Sequence, residues 1–468
     1  MKICAEKFHD ECGVAGIYKK DGKDAAKFIY YCLYALQHRG QESTGITTSK
    51  GGVMTTEKGM GLIHEVFANG DVAKLKGPVG IGHVRYTTAG DSHIRNAQPF
   101  EVYHKGVQIA MAHNGNLVNA RALRDQLEDE GLVFDTGSDT EVMLYLFARN
   151  IRLGAVESIR EMCKVIKGSY AAVITFEDKL IGIRDVNALR PLCIGENDRS
   201  YVLASESCAL DAIGAKFVRD VEPGEIVIID RGGLQSYSMD LETDKKVCIF
   251  EYVYFARPDS TIDGISVYES RYKAGTIMAK ELPVDADVVI GVPDSGMPAA
   301  IGYSEASGIP YGMGLIKNKY IGRTFIQPSQ RMREEGVAIK LNPLRQVLEN
   351  KRVVVVDDSI VRGTTSQQLV SIIRSGGAKE VHLLCASPPI ISGCYFGVDT
   401  PSKEKLIAAE HSLEEIKQIT GADSVGYISL EGLLRSVGGD GDWFCKGCFG
   451  GRYPMEIPEE LILMRKRK

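Results

Sequence analysis

The sequence lacks any apolar run long enough to span a membrane, and residues 1–11 lack the apolar core of a signal peptide. It also lacks a strong charge of either sign, because a formal net charge of −5 is small for 468 residues. Neither a membrane nor a nucleic acid is therefore expected as a partner. We predict a cytoplasmic protein.

An ordered set of cysteine pairs is also missing. The chain has 11 Cys residues, an odd number, and they are scattered over its whole length. This distribution argues against a disulfide framework and favours metal ligation or catalysis in a reducing compartment. Hydrophobic residues make up 44% and charged residues 25%, as in globular proteins, and the length predicts two or three domains.

The most informative stretch of the sequence runs from Val353 to Ser366. Four consecutive Val residues predict a strand buried on both faces, and Asp357 and Asp358 follow it directly. A loop rich in Gly and hydroxyl groups then leads into a helical pattern, and a helix N-terminus offers N–H groups to a phosphate. Adjacent carboxylates suit ribose hydroxyls or Mg²⁺. The stretch predicts a site for a phosphorylated sugar and a metal ion, although a buried strand with a polar turn is the structural alternative.

This stretch resembles the phosphoribosyl pyrophosphate (PRPP) loop of the type I phosphoribosyltransferases. The resemblance implies an α/β domain with a mostly parallel sheet, PRPP as a substrate and Mg²⁺ as a cofactor. Gly291–Gly296 follows a predicted strand and resembles the pyrophosphate loop of that family. The implied metal ligands are Ser295, Asp357 and Asp358. The residues implied to bind PRPP are Asp294, Ser295, Gly296, Asp357, Asp358, Ser359, Arg362, Gly363, Thr364, Thr365 and Ser366.

Four segments of the first half resemble the class II glutamine amidotransferases. These segments are Cys12-Gly13-Val14, His83-Val84-Arg85-Tyr86, His113-Asn114-Gly115-Asn116 and Gly137-Ser138-Asp139. The resemblance implies an N-terminal-nucleophile hydrolase, an α+β domain in which two stacked antiparallel sheets lie between helices (an αββα sandwich). Without it, Cys12 would be interpreted as a small buried strand residue.

The same resemblance implies a role for each matching residue. Removal of residues 1–11 as a propeptide would make Cys12 the first residue, so that its thiolate attacks the glutamine amide and its own amine is the base. Asn114 and Gly115 are implied to form the oxyanion hole, and Arg85 and Asp139 to hold the carboxylate and ammonium groups of glutamine. Arg39 lies in a segment implied to line this pocket, and a purely structural role suits it equally well.

The segment pattern divides the chain in two. Strands dominate the first part, whereas strands and helices alternate in the second, as in parallel βαβ units. We predict a glutaminase domain at 12–236, a linker near 237–246 and a transferase domain at 247–468. In the first domain, Asn114–Asn116 is expected to turn the chain after a strand. Ser138 or Asp139 is expected to cap a helix, with Glu141 completing a capping box if Ser138 is the cap.

Together the two resemblances imply an enzyme with two linked reactions. Glutamine is hydrolysed at Cys12, and the ammonia displaces pyrophosphate from C1 of PRPP to give 5-phosphoribosylamine, the first step of purine synthesis. They also imply feedback inhibition by purine nucleotides and a homo-oligomer, either a dimer or a tetramer. Lys319–Pro328 resembles a loop that closes over PRPP, and Tyr252 lies in a segment that couples the two halves.

The cysteines near the C-terminus predict a further site. Cys445 and Cys448 form a Cys-x-x-Cys pair, while Cys248 and Cys394 are distant in sequence. Four Cys ligands suit Zn²⁺ and an iron–sulfur cluster equally well on residue type alone. The resemblance to a subfamily that uses this set implies a [4Fe–4S] cluster that clamps the C-terminal segment.

Two other functions remain open at this point. Another glutamine amidotransferase, such as an asparagine or glucosamine-phosphate synthase, would share the first half but not the segment Asp357–Ser366. A PRPP-sensing regulator would share the second half but would need neither a processed Cys12 nor the Arg85 and Asp139 pair.

Overall fold

The computed structural model describes residues 12–86, 92–318, 341–438 and 441–466, and side chains as far as residue 463. The predicted propeptide at 1–11 and the predicted closing loop at 319–328 lie outside the described residues. We call residues 12–238 the first half and residues 247–466 the second half.

Among the described residues, the first half contains two antiparallel sheets. The seven-stranded sheet has the order β11-β9-β10-β1-β4-β2-β3 and the six-stranded sheet the order β13-β12-β8-β7-β6-β5. The strands are β1 (Gly13–Lys19), β2 (Ser43–Lys50), β3 (Val53–Met60), β4 (Val79–Arg85), β5 (Phe100–His104), β6 (Val107–Leu117), β7 (Gly168–Phe176), β8 (Lys179–Arg184), β9 (Cys193–Asn197), β10 (Ser200–Ala204), β11 (Lys216–Asp220), β12 (Glu225–Asp230) and β13 (Gly233–Ser238).

Helices cover the outer face of each sheet. One apolar cluster fills the space between the sheets, and two more lie between a sheet and its helices. The helices are α1 (Ala26–Ala35), α2 (Ile63–Val66), α3 (Ala120–Asp129), α4 (Asp139–Arg149), α5 (Ala155–Val165) and α6 (Cys208–Asp211), with 3₁₀ turns at Asp71–Lys74, Ile94–Asn96 and Ile151–Leu153. This αββα arrangement confirms the fold predicted for the first half.

The second half contains a parallel sheet in the order β17-β20-β21-β22. Apolar clusters lie on both faces of this sheet, because helices cover both sides. Its strands are β17 (Val288–Gly291), β20 (Arg352–Asp357), β21 (Glu380–Cys385) and β22 (Ser424–Tyr427). The short pairs are β14 (Val247–Cys248) with β23 (Phe444–Cys445), β15 (Thr261–Ile262) with β16 (Ile265–Ser266), and β18 (Leu315–Lys317) with β19 (Leu341–Pro343).

The helices of this half complete the predicted βα alternation. A π-helical turn at Glu251–Phe255 and a 3₁₀ turn at Lys403–Lys405 accompany them. Within the described ranges, no helix is both long and apolar enough to cross a membrane. The helices are α7 (Val267–Glu281), α8 (Met297–Ser307), α9 (Arg345–Leu348), α10 (Thr364–Ser375), α11 (Ile407–Glu410), α12 (Leu413–Thr420), α13 (Leu430–Ser436), α14 (Gly447–Gly450) and α15 (Glu459–Lys466).

Two local predictions were wrong. Strand β6 does not turn at Asn114–Asn116 but continues to Leu117, because these residues pair with β7. Ser138 does cap α4, but Glu141 accepts from the backbone N–H groups of Asp135 and Thr136, so no capping box forms. Strand β13 extends to Ser238, two residues past the predicted end of the first domain.

Candidate functional site

Cys12 directly precedes β1, and its side chain is only 7% exposed. Its Sγ donates a hydrogen bond to the carbonyl oxygen of Tyr86, 3.5 Å away. Burial raises the pKa of the Cys12 thiol to about 11, which outweighs the opposing effect of the Arg85 charge. At neutral pH this group is an uncharged thiol, so a base must remove its proton before it can attack a carbonyl carbon.

Three charged side chains lie within electrostatic range of this thiol. The charges of Arg85, Glu42 and Asp139 all act on the pKa of Cys12, and Arg85 and Asp139 are the predicted glutamine-binding pair. Arg85 is buried at the end of β4, and its Nη1 lies 2.6 Å from Glu42 Oε1. Asp139 begins α4, and its Oδ2 accepts from the backbone N–H of Leu117 at 2.8 Å.

Two buried histidines join the sheets next to this site. His83 Nε2 donates to the carbonyl oxygen of His113 at 3.1 Å, and His113 Nε2 donates to that of Ser169 at 3.2 Å. Burial lowers the pKa of His83 to about 3, so its imidazole is neutral. Because His83 is on β4 and His113 on β6, this bridge joins the strand that carries Arg85 to the strand that carries Asn114.

Asn114 and Gly115 both carry structural signs of a ligand site. Asn114 is 1% exposed, and within the described part of the chain its Nδ2 has no hydrogen-bond partner. An unpaired buried donor costs about 1–3 kcal/mol, which a ligand would recover. Gly115 has φ +144°, and a Cβ there would lie 2.1 Å from the carbonyl oxygen of Ser169, so no side chain fits.

Arg39 is buried between the two halves. Its Nε donates to Glu206 Oε1 at 2.5 Å, and its Nη2 donates to Glu251 Oε2. Burial alone would raise the pKa of Glu206, but His38 and Arg39 hold that pKa below its usual range. The guanidinium of Arg39 therefore connects the halves through carboxylates. That it also binds glutamine stays a prediction.

The acidic pair lies at the carboxyl end of the parallel sheet. Asp357 ends β20 and Asp358 follows it, and both side chains are buried. Asp358 Oδ1 accepts from Ser359 Oγ at 2.7 Å, and its Oδ2 accepts from Ser295 Oγ. Ser295 and Asp358 meet because β17 and β20 are parallel neighbours whose carboxyl ends share one edge. The structure thus joins the predicted pyrophosphate loop to the predicted PRPP loop.

The loop after the acidic pair turns directly into α10. Gly363 is its N-cap residue, with φ +87°, and a Cβ there would lie 2.5 Å from a side-chain carbon of Ile407. Thr364 is exposed, Thr365 half-buried and Ser366 buried. The strand, loop and helix occur in the predicted order. The N-terminus of a helix is a favourable position for a phosphate.

A small cavity lies beside the acidic pair. Its lining includes Tyr252, Arg271, Ser295 and Asp358. Arg271 donates from Nε to the carbonyl oxygen of Tyr252 at 2.7 Å and from Nη2 to that of Ala256 at 2.8 Å. Burial lowers the pKa of Arg271 to about 10, against the opposing charge of Asp358. The guanidinium of Arg271 is therefore hydrogen-bonded to the Tyr252 segment and interacts electrostatically with Asp358 of the acidic pair.

The four predicted cluster cysteines are neighbours in the structure. Cys248 and Cys445 are paired residues of β14 and β23, and burial together with the charges of Cys445 and Cys394 raises the pKa of Cys448. The backbone N–H of Phe396 donates to Cys394 Sγ at 3.3 Å. Among the described residues, however, no group of three or more His, Cys, Asp or Glu side chains is arranged so that it could hold a metal ion.

Sequence reasoning missed three residues of these sites. Glu42 pairs with Arg85, Arg271 faces the acidic pair, and Arg190 donates from Nε to the carbonyl oxygen of Phe396 at 2.9 Å. Each is a single charged residue whose partner is far away in sequence, so no spacing or periodicity could have identified it.

Comparison with known proteins assigns one family to each half. Residues 83–212 match the family model described as a glutamine amidotransferase domain. Residues 271–392 match the model described as a phosphoribosyl transferase domain.

Single relatives match over nearly the whole chain. The amidophosphoribosyltransferase of Bacillus subtilis (strain 168) is 50% identical over 461 residues, which is 97% of this chain and 96% of that protein. Among solved structures, the B. subtilis glutamine PRPP amidotransferase complexed with ADP and GMP matches with a TM-score of 0.90 and 49% identity, over 96% of this chain and 98% of the other. A structure described as the allosteric regulatory enzyme of purine biosynthesis matches with a TM-score of 0.91 and 49% identity, over 98% and 99%.

Proposed function

The chain belongs to the amidophosphoribosyltransferase family, and we propose that its two halves divide the reaction of that family between Cys12 and the acidic pair. The enzyme is a glutamine-dependent transferase that catalyses the first step of purine biosynthesis. Glutamine and PRPP are converted to 5-phosphoribosylamine, glutamate and pyrophosphate. The observation that carries the division of labour is Asn114 Nδ2, which has no hydrogen-bond partner among the described residues. It lies in the half that also holds Cys12, away from Asp357 and Asp358.

In the first half, Cys12 attacks the side-chain carbonyl carbon of glutamine. The C–S bond forms first and gives a tetrahedral oxyanion, whose C–N bond then breaks to release ammonia. Water hydrolyses the resulting thioester, which breaks the C–S bond, releases glutamate and restores the thiol. Asn114 Nδ2 and the backbone N–H of Gly115 stabilise the oxyanion that develops on the carbonyl oxygen. Arg85 binds the α-carboxylate of glutamine and Asp139 its ammonium group, while Glu42 keeps the guanidinium of Arg85 in position.

The base for Cys12 is its own α-amino group, which requires that residues 1–11 be removed. A buried thiol with a pKa of about 11 does not ionise unaided at neutral pH. An α-amine, which titrates near ~7.7–8.0, can take the proton and return it to the leaving ammonia. We also propose limits of about 12–238 for the glutaminase domain, which places Ser238 with its sheet, and 247–468 for the transferase domain.

Processing gives the first testable prediction. Intact-mass analysis of protein with glutaminase activity should find Cys12 at the N-terminus, because only a free α-amine there can act as the base. A chain expressed from Met-Cys12, whose Met is removed, should be equally active. Active protein that still begins at Met1 would contradict this mechanism.

In the second half, the carboxyl end of the parallel sheet binds PRPP. Two buried carboxylates with Ser295 in contact form a set of oxygen donors that suits Mg²⁺. Asp357, Asp358 and Ser295 would hold the ion, which when bound supplies positive charge to the departing pyrophosphate. Thr364, Thr365 and Ser366 bind the 5-phosphate at the start of α10, together with Arg362 and Gly363.

The pyrophosphate loop completes the PRPP site. Asp294 and Gly296 flank Ser295, and Asp294 lies 2.5 Å from the amine of Lys317. A Cβ at Gly296 would lie 2.3 Å from the carbonyl oxygen of Val356, so the loop fits closely against the end of β20. This packing supports a fixed position for Ser295 beside the acidic pair.

The cysteine group fits a [4Fe–4S] cluster by donor chemistry. Cys248, Cys394, Cys445 and Cys448 are four sulfur donors with interacting charges, and Cys394 Sγ already accepts an N–H, as cluster sulfurs do. A cluster here would join the C-terminal segment to β14 and would take no part in the reaction.

Metal analysis tests this proposal. Protein purified under nitrogen should be brown and contain about four iron and four sulfide per chain, and exposure to air should reduce colour and activity together. Cys448→Ser should lose the iron, whereas Cys163→Ser, a buried cysteine outside the group, should keep it. Colourless, fully active protein containing zinc would rule the cluster out.

We further propose that purine nucleotides inhibit this enzyme. The support is the B. subtilis relative, whose structure is described as complexed with ADP and GMP. A homo-oligomer in the cytoplasm is part of the same proposal. Inhibition of 5-phosphoribosylamine synthesis by adenine and guanine nucleotides, measured singly and together, tests it.

A further inference from the structure

A segment of the second half, Cys394–Gly397, lies against the strand that carries the oxyanion residues. Asn116 Nδ2, on β6, donates to the carbonyl oxygen of Tyr395 at 2.9 Å. Ser169 Oγ, on the neighbouring strand β7, donates to the carbonyl oxygen of Phe396 at 2.7 Å and accepts from the backbone N–H of Asn116 at 3.1 Å. The segment is therefore hydrogen-bonded to both strands next to the predicted oxyanion hole.

The backbone carbonyl of Phe396 accepts several hydrogen bonds in this contact. In addition to Ser169 Oγ, it accepts from Arg190 Nε at 2.9 Å and from Arg190 Nη2. Arg190 is fully buried, and its Nη1 lies 3.7 Å from Glu251 of the second half. The Phe396 side chain is buried beside Val118 and Leu189. Donors from the first half thus surround one carbonyl of the second half.

Gly397 brings the two backbones into direct contact. A Cβ at Gly397 would lie 3.1 Å from the carbonyl carbon of Gly115 and 3.3 Å from its oxygen. On its other side, Gly115 is so close to Ser169 that it also leaves no room for a Cβ. Gly115 is therefore held between β7 and the segment from the second half. Because glycine has more backbone freedom than any other residue, such packing decides where its N–H points.

We propose that Cys394–Gly397 positions the oxyanion hole, with Asn116, Ser169 and Arg190 as positioning residues. The glutaminase site is then complete only when this segment of the transferase half is seated on β6. The inference rests on the proposed oxyanion role of Asn114 and Gly115. Oxyanion donors act on a charge that exists in the transition state, so displacing them should lower kcat and leave KM for glutamine nearly unchanged.

Asn116→Asp tests the hydrogen bond to Tyr395, because it replaces an amide donor by a carboxylate of the same shape that faces a carbonyl. Glutaminase kcat should fall by roughly 10- to 100-fold, the range expected when catalytic groups move by up to about 1 Å. KM for glutamine should stay within about twofold, and ammonia-dependent synthesis should be unchanged. The matched control is Asn119→Asp, because Asn119 Nδ2 also donates to a carbonyl, that of Val165, at 2.9 Å.

Gly397→Ala tests the backbone contact independently. Its control is Gly131→Ala, which has a similar positive φ, +92° against +105°, but nothing within 4 Å of the added Cβ. Gly397→Ala should lower glutaminase kcat, and Gly131→Ala should not. If kcat is unchanged in both Asn116→Asp and Gly397→Ala, or if ammonia-dependent synthesis falls in parallel, the segment does not position the hole. Full glutaminase activity in Asn114→Ala would instead overturn the oxyanion assignment itself.

Discussion

The Cys12→Ala variant is expected to release no glutamate from glutamine while it still makes 5-phosphoribosylamine from ammonia. Without the thiol no acyl-enzyme can form, and loss of a covalent nucleophile costs roughly 10⁴-fold or more in kcat. The acidic pair is on the parallel sheet of the other half, so ammonium salt at raised pH, where free NH₃ is present, should still support synthesis. The assays are glutamate release and product formation with each nitrogen source.

Cys32→Ala is the matched control for this variant. Its thiol is also buried and also donates to a backbone carbonyl, that of Ala209, at 3.4 Å. It should keep glutaminase activity, which would separate loss of the nucleophile from loss of a buried thiol. Loss of ammonia-dependent synthesis in folded Cys12→Ala protein would contradict the division between two sites.

PRPP should also raise glutaminase activity in the wild type. Arg39 and Arg190 of the first half both lie within ion-pair distance of Glu251 of the second half, so a buried charge network crosses the junction between the halves. PRPP binding in one half can change the glutamine site in the other only if the charge network between them has two alternative conformations. The expected activation therefore depends on a conformational change. If PRPP does not change the rate of glutamate release, the proposed coupling between the halves is wrong, but the two proposed sites are unaffected.

The double variant Asp357→Asn/Asp358→Asn should show the opposite of Cys12→Ala, with loss of 5-phosphoribosylamine synthesis and retention of glutamate release. It keeps the shape of the carboxylates but removes the charge that would hold Mg²⁺ and the ribose hydroxyls. Synthesis should fall by about 10²–10⁴-fold with ammonia and with glutamine alike, because several kcal/mol of charge stabilisation is lost. Basal glutamate release without PRPP should remain, since Cys12 is untouched.

A charge-matched control for this variant is Asp125→Asn/Asp129→Asn on the exposed face of α3. It removes the same two charges far from the parallel sheet and should leave synthesis unchanged. Isothermal titration with PRPP and Mg²⁺ would measure binding directly in both double variants. Unchanged PRPP affinity and turnover in the Asp357 and Asp358 variant would mean that the PRPP site lies elsewhere.

The sequence by itself determined the βα alternation of the second half and the local form of the PRPP loop, while the architecture of the first half followed from resemblance. Four consecutive valines, two acids and a Gly-Thr-Thr turn predict a buried strand, a loop and a helix start, because hydrophobic pattern and turn residues are local properties of the chain. It also marked Cys12, Arg85, Asn114 and Asp139 as one group, although only through resemblance, since no spacing rule connects residues so far apart in the chain.

Only the tertiary structure decided how those segments meet. Pairing with β7 overrides the turn signal at Asn114–Asn116, because the ladder between β6 and β7 continues through these residues to Leu117. The bridge from His83 to His113 and the contact of Gly397 with Gly115 depend on how the sheets and the halves pack. Single residues carry no periodic signal of a distant partner, so contacts of this kind become visible only when the chain is folded.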